Sequence, residues 1–473
     1  MSVAPSQAAP HIGLTLLLCS LGCTRYQAQP LDLTAHPAEY RARQLNDPAV
    51  LRLIGEFAGA VSDSGWTDRQ LALAALHFRP ELPRARAEWR AAGAGEISAG
   101  ARPQPGAQAD VERAVSGSEG ASPWVVALGG LYSLEFGGKR GARLLQARAR
   151  TAVAEAELRL VAWQIVSDVR SAVADSWRAQ QELADAELEA ETLEQIRTLT
   201  ESRYREAVLT SSELARAGGE VQAARTAVSE AQGALLAAQA GLTRAIAVPT
   251  AALGSVRLTP PTVAGCEWLD SLGRDSIDAL ALQSRAEISR ALAGYALAEA
   301  DLRQQVAQQY PDLDVGPGFI WDQGVHRWTL ALSLPRLLLN RNRGPIAEAT
   351  ARRGAAAARV TEAQDQVLGE AGAGQLACRA ARVQLAAADS QLVAAGRAAQ
   401  LADIAFQRGE TGRIEVAQAE LSLLRARRTQ HSARRSWVGA GLALERAAGV
   451  WHENAARWPD PRAEDGVAPG GHP

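Results

Sequence analysis

The chain has 473 residues, which exceeds the usual size of one domain and favours either two domains or one long repetitive fold. Aromatic residues make up only 5% of it while alanine dominates long stretches, a composition that suits close-packed helices. The formal net charge of -2 comes from 50 basic and 52 acidic residues, so the electrostatic footprint of a nucleic-acid-binding protein is missing.

Cysteine and histidine usage predicts no metal site and no cofactor. The four cysteines, Cys19, Cys23, Cys266 and Cys378, are too few and too scattered to predict a disulfide framework or a thiolate metal site. The seven histidines lie far apart along the chain. Since no nucleophile, general base or metal constellation is apparent either, we do not expect an enzyme.

Residues 1–22 read as a signal peptide. The apolar core from Ile12 to Leu21 is too short to span a bilayer as a permanent helix, but it matches the core of an export signal. The end of this segment, Leu21-Gly22-Cys23, resembles a bacterial lipoprotein box. That resemblance would make Cys23 the acylated first residue of the mature chain.

A long helical hairpin follows in the middle of the chain. No proline occurs between Pro123 and Pro249, and the helix expected from Gly141 to about Ala207 would be roughly 100 Å long. The sequence Thr210-Ser211-Ser212-Glu213 fits a capping box, in which the threonine hydroxyl and the glutamate each bond a free amide of the next helix. We therefore expect a turn here and a second helix to about Ala247.

The same hairpin occurs again near the C-terminus. Phe406 and Glu415 repeat Tyr204 and Glu213 at a constant offset of 202 residues, and upstream blocks match at an offset of 206. The chain is thus a tandem duplication of one unit, made of a helix, two candidate strands, a long helix, a turn and a helix.

Two strands are clearest in the second half. Apolar and polar residues alternate from Leu313 to Trp321, Gln323-Gly324 can turn the chain, and alternation resumes from Trp328 to Leu334. Each run is about ten residues, the length of a tilted transmembrane strand. A soluble hairpin with one buried face is the alternative. If the strands cross a membrane, four cannot close a barrel, two chains would supply eight and three would supply twelve, enough for a pore.

Several short motifs keep their order and spacing over both halves. They are Arg102-Pro103-Gln104-Pro105 before the first strand, Gly138-Lys139-Arg140 after the second, Asn340-Arg341-Asn342-Arg343-Gly344 after the fourth, and the turns at Tyr204 and Phe406. With these motifs the chain resembles the TolC-type outer-membrane efflux channel family, from about Tyr40 to Trp451.

The resemblance implies a mainly helical fold with a small β part. Three protomers would build a 12-stranded transmembrane barrel, four strands each, continued by a tunnel of long helical hairpins. The domains would be a signal peptide (1–22), an N-terminal periplasmic segment (23–66), a first repeat (67–249), a linker (250–274), a second repeat (275–451) and a disordered tail (452–473).

The resemblance also assigns roles to particular residues. Gly138, Lys139, Arg140, Asn340, Arg341, Asn342 and Arg343 would form the barrel-to-helix turns, where strands pass into helices without interruption; the alternative is that their charges are merely solvated. The hairpin tips Ala207, Val208, Leu209, Thr210 and Gly409, Glu410, Thr411, Gly412 would contact partners. Glu415 and Gln418 would form the pore gate, although Glu415 also fits a helix start favoured by the helix dipole.

The function expected from the resemblance is the outer-membrane channel of a tripartite efflux system. Its partners would be a periplasmic adaptor, an inner-membrane pump and outer-membrane lipid, with no nucleic acid. The stretches around Gly138 and Asn342 look most like subunits that serve heavy-metal pumps, and small toxic compounds remain open as substrates. The alternatives are a periplasmic membrane-fusion adaptor and a soluble coiled-coil scaffold.

Overall fold

The structure is a computed structural model that describes residues 26–63, 65–113, 115, 122–254, 256–261, 266, 272–322, 324–334, 341–450 and 458–462. The predicted signal peptide, Cys23 and Asn340 lie outside these residues. The chain separates into two compact units, residues 1–43 and residues 44–473.

The first unit contains one described helix, α1 (Ala35–Ala42). Just before it, the Asp32 carboxylate accepts hydrogen bonds from the Thr34 hydroxyl at 2.6 Å and from the Thr34 amide at 2.8 Å. These two bonds hold the pKa of Asp32 below its ordinary value. The unit boundary at residue 43 falls inside the predicted N-terminal segment 23–66.

The second unit contains the two predicted repeats, preceded by α2 (Pro48–Phe57). The first repeat consists of α3 (Asp68–Phe78), α4 (Glu81–Gly100), β1 (Gly106–Arg113), β2 (Trp124–Leu134), α5 (Lys139–Arg205) and α6 (Ser211–Ile246). The second consists of α7 (Arg274–Ser284), α8 (Ala286–Ala307), β3 (Leu313–Asp322), β4 (Val325–Ser333), α9 (Arg343–Gln407) and α10 (Arg413–Ala448). The identical element order confirms the tandem duplication.

The longest elements are α5, with 67 residues, and α9, with 65 residues. At 1.5 Å per residue each is about 100 Å long. Pairs one turn apart, such as Arg159 with Glu155 at 2.6 Å, support the exposed faces, while Ile165 and Val169 belong to a buried apolar stripe. Within the described residues, no helix combines the length and the apolar character needed to cross a bilayer.

The four strands form one antiparallel sheet in the order β1-β2-β3-β4. The pairing of β2 with β3, for example Val126 opposite Trp321, joins the two repeats. Strands β1 and β4 are the edges and have no further partner among the described strands. One face carries the predicted apolar alternation, and its Trp328 and Leu330 side chains are 85% and 65% exposed. The described chain therefore leaves this apolar face uncovered.

The helices of each repeat pack around an apolar core of their own. Each repeat also contains a triad of ion-paired side chains, at equivalent positions. The triads are Arg79 with Glu81 and Asp168, and Arg285 with Glu287 and Glu370. In each, an arginine directly after a short helix reaches a carboxylate two residues on and another on the long helix. The repetition shows that the duplicated unit kept its polar contacts as well as its core.

A buried ion group joins the repeats to each other. Arg170 of α5 contacts Asp68 of α3 at 2.7 Å and Glu445 of α10 at 3.4 Å, and all three side chains are at most 4% exposed. Removal of Arg170 would take the common cation away from two buried carboxylates, and the loss of one partner of a buried pair typically costs about 3 to 5 kcal/mol. The group therefore holds the C-terminal end of α10 against the first repeat.

A disulfide bond links Cys266, in the segment between the repeats, to Cys378 of α9. The cysteines were predicted to be too few and too scattered for a disulfide framework, and this single bond between two of them is a pairing that the sequence did not predict. The sequence separation of 112 gives no hint of the contact, because it depends on where the linker lies against α9. Both cysteines are buried in the second core, near Ile277 and Ala371.

Part of the predicted disordered tail is packed against the first repeat. Trp458 lies against the first core, and Arg69 stacks over its ring at 5.1 Å. The Arg86 side chain donates to the Pro461 carbonyl at 3.0 Å, and Arg462 pairs with Glu155 of α5 at 3.3 Å. Residues 458–462 thus differ from the prediction for 452–473.

Replacement of both Cys266 and Cys378 by serine is expected to destabilise the protein by about 4 kcal/mol, because the disulfide closes a long loop and so restricts the unfolded chain. Chemical unfolding in detergent measures the change, and the reduced native chain serves as the matched control. Free thiols at these two positions in the oxidised native protein would contradict the pairing.

Candidate functional site: the hairpin tips, the seam between the hairpins and the strand-to-helix turns

The first hairpin tip is closed by backbone bonds and a helix cap. After α5 ends, Ala207 adopts a left-handed conformation with φ of 58°, and the Val208 amide donates to the Arg203 carbonyl at 3.0 Å. The Thr210 side chain then caps α6, and the Thr210 amide donates to the Glu213 carboxylate at 2.8 Å. This amide bond, followed by the bond from the Thr210 hydroxyl, holds the pKa of Glu213 below its ordinary value. The predicted capping box is confirmed.

The second tip repeats this geometry with different residues. Gly409 takes the left-handed position, with φ of 72°, and the Glu410 amide donates to the Ala405 carbonyl at 2.8 Å. Gly412 then precedes α10 without a side-chain cap. The second tip therefore lacks the side-chain cap that the first tip has in its capping box.

The tip residues that were predicted to contact partners are exposed on both hairpins, apart from the half-buried Leu209, Thr411 and Gly412. Val208 is 59% exposed although it is apolar. More than half of this apolar side chain is therefore accessible, which is the arrangement expected of a surface that meets another protein.

Glu415 lies next to an arginine of the other hairpin, which the sequence does not reveal. A Cβ added to Gly412 would stand 2.6 Å from both Arg203 Nη2 and Glu415 Oε2. Glu415 is therefore both a first-turn residue of α10, as the alternative reading held, and a neighbour of a cation from α5. Gln418 is exposed one turn further on, on the same side of α10 as Glu415. Their role as a pore gate stays a prediction.

A row of ion pairs connects α5 to α10 above the tips, and we call it the charged seam. The Glu189 carboxylate of α5 forms ion pairs with Arg425 of α10 at 2.9 Å and with Arg428 of α10 at 2.6 Å. One turn higher, Asp185 contacts His431 at 3.1 Å and Arg435 at 3.3 Å. Glu182 also approaches Arg435, at 3.8 Å. Sequence reasoning missed this seam, because acidic residues on one helix and basic residues on another show no pairing until the helices are placed side by side.

Apolar residues fill the lower part of the same contact. Leu193 and Ile196 of α5 pack with Val221 of α6 and Leu421 of α10. Burial of Glu189 opposes its ionisation, but the hydrogen bonds and charges of the two arginines outweigh burial and hold its pKa below the ordinary value. The hairpins are thus joined by an apolar cluster near the tips and by charged pairs above it.

Left-handed residues lie directly before α5 and α9. The regular backbone is therefore broken between strand and helix, which differs from the predicted passage without interruption. Gly137 and Gly138 precede α5 with φ of 70° and 72°, and Arg341 and Asn342 precede α9 with φ of 41° and 51°. At Gly137 a Cβ would also collide with the Tyr310 ring, at 2.3 Å. Each turn therefore needs two consecutive left-handed residues, which glycine adopts readily and asparagine tolerates.

The polar side chains of these turns bind other elements. Lys139 pairs with Asp312 at 2.7 Å, Arg140 donates to the Gly100 carbonyl at 2.6 Å, and Asn342 donates to the Gln305 carbonyl at 2.8 Å. The last two bonds satisfy carbonyls at the ends of α4 and α8.

Sequence reasoning missed Arg143, which donates to the Ala99 and Ala101 carbonyls and pairs with Glu135. Arg341 and Arg343 are exposed. Arg140 and Arg143 thus bind the end of α4, and Asn342 binds the end of α8. These side chains are therefore not merely solvated.

The described residues contain no group of three or more His, Cys, Asp or Glu side chains placed to hold a metal ion.

Ala207→Gly is expected to stabilise the first tip by about 1 kcal/mol, because the left-handed conformation costs an alanine roughly that amount. Gly409→Ala should cost a similar amount at the second tip, where nothing within 4 Å of the new Cβ adds a clash. Gly218→Ala, inside α6 and equally open, is the matched control and should be stabilising. Thermal unfolding measures all three, and the same sign for Gly409→Ala and Gly218→Ala would contradict this account.

Glu189→Gln is expected to weaken the charged seam by about 1 kcal/mol and to speed amide exchange in α10 near Arg428 about fivefold. Because the pKa of Glu189 is lowered, its contribution is complete above the ordinary glutamate value of 4.5 and is lost as the pH falls through the lowered pKa. Glu201→Gln is the control, since Glu201 pairs only with Arg197 and Arg205 of its own helix. Equal exchange in both variants would show that the seam does not hold α10.

Comparison with known proteins follows the same division into repeats. The model of the family described as "Outer membrane efflux protein" matches residues 71–248 and 279–450. A comparison with curated protein sequences finds no match.

Among solved structures, the chain is similar to the outer membrane protein VceC of Vibrio cholerae, with 21% identity and a TM-score of 0.65 over 81% of this chain and 96% of that one. It is also similar to CusC, with 19% identity and a TM-score of 0.64 over 81% and 92% of the two chains. The outer-membrane channel OprN is similar as well, with 19% identity and a TM-score of 0.64 over 94% of this chain and 98% of that one. At these identities the likeness shows the fold. Since the family model covers both repeats, from α3 to the end of α10, the chain belongs to the outer membrane efflux protein family.

Proposed function

We propose that the chain is the outer-membrane channel of a tripartite efflux system and serves as a passive exit duct. The observation that carries this function is the four-stranded sheet, which has an exposed apolar face and two edges without a partner among the described strands. Helices about 100 Å long continue from this sheet. In lipid, unpaired edge groups cost several kcal/mol each, so the sheet has to close with other copies. Three copies supply twelve strands and enclose an aqueous pore. The proposed assembly is a homotrimer.

The hairpin tips are the proposed contacts with a periplasmic adaptor and an inner-membrane pump. They are the far ends of the long helices from the sheet, and the exposed Val208 offers apolar surface to a partner. A soluble scaffold would leave Trp328 and its neighbours on the sheet exposed to water. A membrane-fusion adaptor is disfavoured because this chain contains two hairpins and not one.

Glu415 and Gln418 are the proposed pore gate. Three Glu415 carboxylates around an axis would favour cations. The nearby Arg203 opposes this preference, and Gln418 adds no charge. We therefore expect a modest cation preference, in keeping with heavy-metal cations or small toxic compounds as substrates.

Cys23 is the proposed site of a lipid anchor. The support is its sequence context, Leu21-Gly22-Cys23, at the end of an apolar export signal. Mass spectrometry of the N-terminal peptide of the purified protein tests this proposal. An unmodified Cys23 thiol would refute the lipid anchor and would leave the proposed channel unaffected.

The channel is tested by reconstitution of the purified chain into planar bilayers. We expect a detergent-stable trimer from the outer-membrane fraction and conductance with a modest cation preference. Glu415→Gln should move the cation-to-anion permeability ratio toward one, and Gln418→Glu should raise it, since each changes one carboxylate per copy. Glu213→Gln, at the equivalent position of the first hairpin, is the matched control and should leave the ratio unchanged.

Two results would count against these proposals. Trimers that never conduct would refute the duct. An unchanged permeability ratio in Glu415→Gln would remove Glu415 from the gate.

A further inference from the structure

The helices of the two hairpins keep one constant difference in residue number over most of their length. Helices α6 and α10 begin at Ser211 and Arg413 and end at Ile246 and Ala448, a difference of 202 residues at both ends. Seven buried positions of α5 recur as buried positions of α9 with the same difference. They include Ile165 and Val367, Val169 and Ala371, Ala179 and Ala381, and Ala186 and Ala388. A contact between α5 and α10 therefore has a well-defined counterpart between α9 and α6.

Among the described residues, the structure shows no substantial contact of this kind between α9 and α6 of the same chain. The α9 equivalents of Glu182, Asp185 and Glu189 are Gln384, Ala387 and Gln391, and all three are exposed. The α6 equivalents of Arg425, Arg428, His431 and Arg435 are Ala223, Thr226, Ser229 and Gly233, which are exposed as well. We call these two sets the α9 stripe and the α6 stripe. Neither contains a charged residue, whereas every position of the charged seam is ionisable.

The sheet has the same pattern of one satisfied and one open contact. Strand β2 of the first repeat pairs with β3 of the second within the chain. The equivalent contact would join β4 to β1, and these two strands are the unpaired edges among the described residues. Sheet and helices thus independently leave open the same repeat-to-repeat contact, from the second repeat to a following first repeat.

We propose that the α9 stripe of one copy packs against the α6 stripe of the next copy, in the register of the charged seam shifted by 202 residues. In this register Ala387 faces Ser229, and Gln391 faces Ala223 and Thr226, as Asp185 faces His431 and Glu189 faces Arg425 and Arg428. The partner is a second copy of this chain, because only a copy continues both the sheet and the helix layer. The inference rests on the proposed closed ring and adds its contact surface, register and chemistry.

The contact between copies differs chemically from the contact within the chain. Gly233, Ala223 and Ala387 let the helix backbones approach closely, and Gln391 can hydrogen-bond Thr226 without charge. Ion pairs between exposed groups weaken in salt, whereas close van der Waals packing does not. The contact between the two stripes should therefore depend less on salt than the charged seam does.

Cross-linking with a short bis-maleimide tests the register. A chain that carries Ala387→Cys and Ser229→Cys should give covalent dimers and trimers on a denaturing gel. Ala387→Cys with Ala240→Cys is the matched control, because Ala240 lies on the same face of α6 as Ser229 but about 16 Å further along it. Each single replacement measures the background from other cysteines.

A transplanted ion pair tests the chemistry. Gln391→Glu with Thr226→Arg recreates Glu189 with Arg428 and should slow trimer dissociation roughly two- to fivefold at low salt. The gain should vanish at about 1 M salt, where screening acts over roughly 3 Å. Gln391→Arg with Thr226→Arg places like charges together and should speed dissociation.

The outcomes separate this inference from the proposed function. Specific cross-links for Ala387 with Ser229, together with a gain from the transplanted pair, support it. Conducting trimers that cross-link equally through Ala240, or not through Ser229, overturn the register and leave the channel intact. A native chain that stays monomeric in detergent overturns both.

Discussion

The backbone groups at the two edges of the sheet constrain everything else in this molecule. A strand that faces hydrocarbon has to find partners for its amides and carbonyls, and within one described chain β1 and β4 have no further partner. The apolar face that carries Trp328 and Leu330 is uncovered as well. A ring of copies satisfies both needs at once. Because each strand pair leads directly into a long helix, closure of the sheet would also arrange the helices around one axis.

The duplication gives two contacts of similar geometry that have acquired different chemistry. Within the chain, α5 and α10 are joined by carboxylates and guanidinium groups, and the buried Arg170 ties the same helices together higher up. The equivalent surfaces on α9 and α6 are small and uncharged. Surface ion pairs are individually weak and sensitive to salt and pH, while a tight neutral contact is not.

Much of the fold follows from local physics, and these features were predictable from the sequence. The Thr210 and Glu213 pair forms the expected capping box, the alternation from Leu313 to Trp321 forms the expected strand, and the repeat offset predicts the second hairpin. The family resemblance is confirmed by the match over both repeats. The roles of the tips and of Glu415 remain predictions, because they concern partners and an assembled pore.

The sequence by itself therefore determined the helices, the strands, the duplication and the family, since capping, periodicity and repetition act between residues close in the chain or at a fixed offset. Only the tertiary structure decided that Cys266 bonds Cys378, that Arg203 lies beside Glu415, and that Arg140 and Asn342 bind helix ends. It also placed two left-handed residues at each strand-to-helix turn. These particular side-chain contacts join segments that are far apart in sequence. Their energies depend on distances that exist only once the helices have packed, and composition and spacing carry no information about those distances.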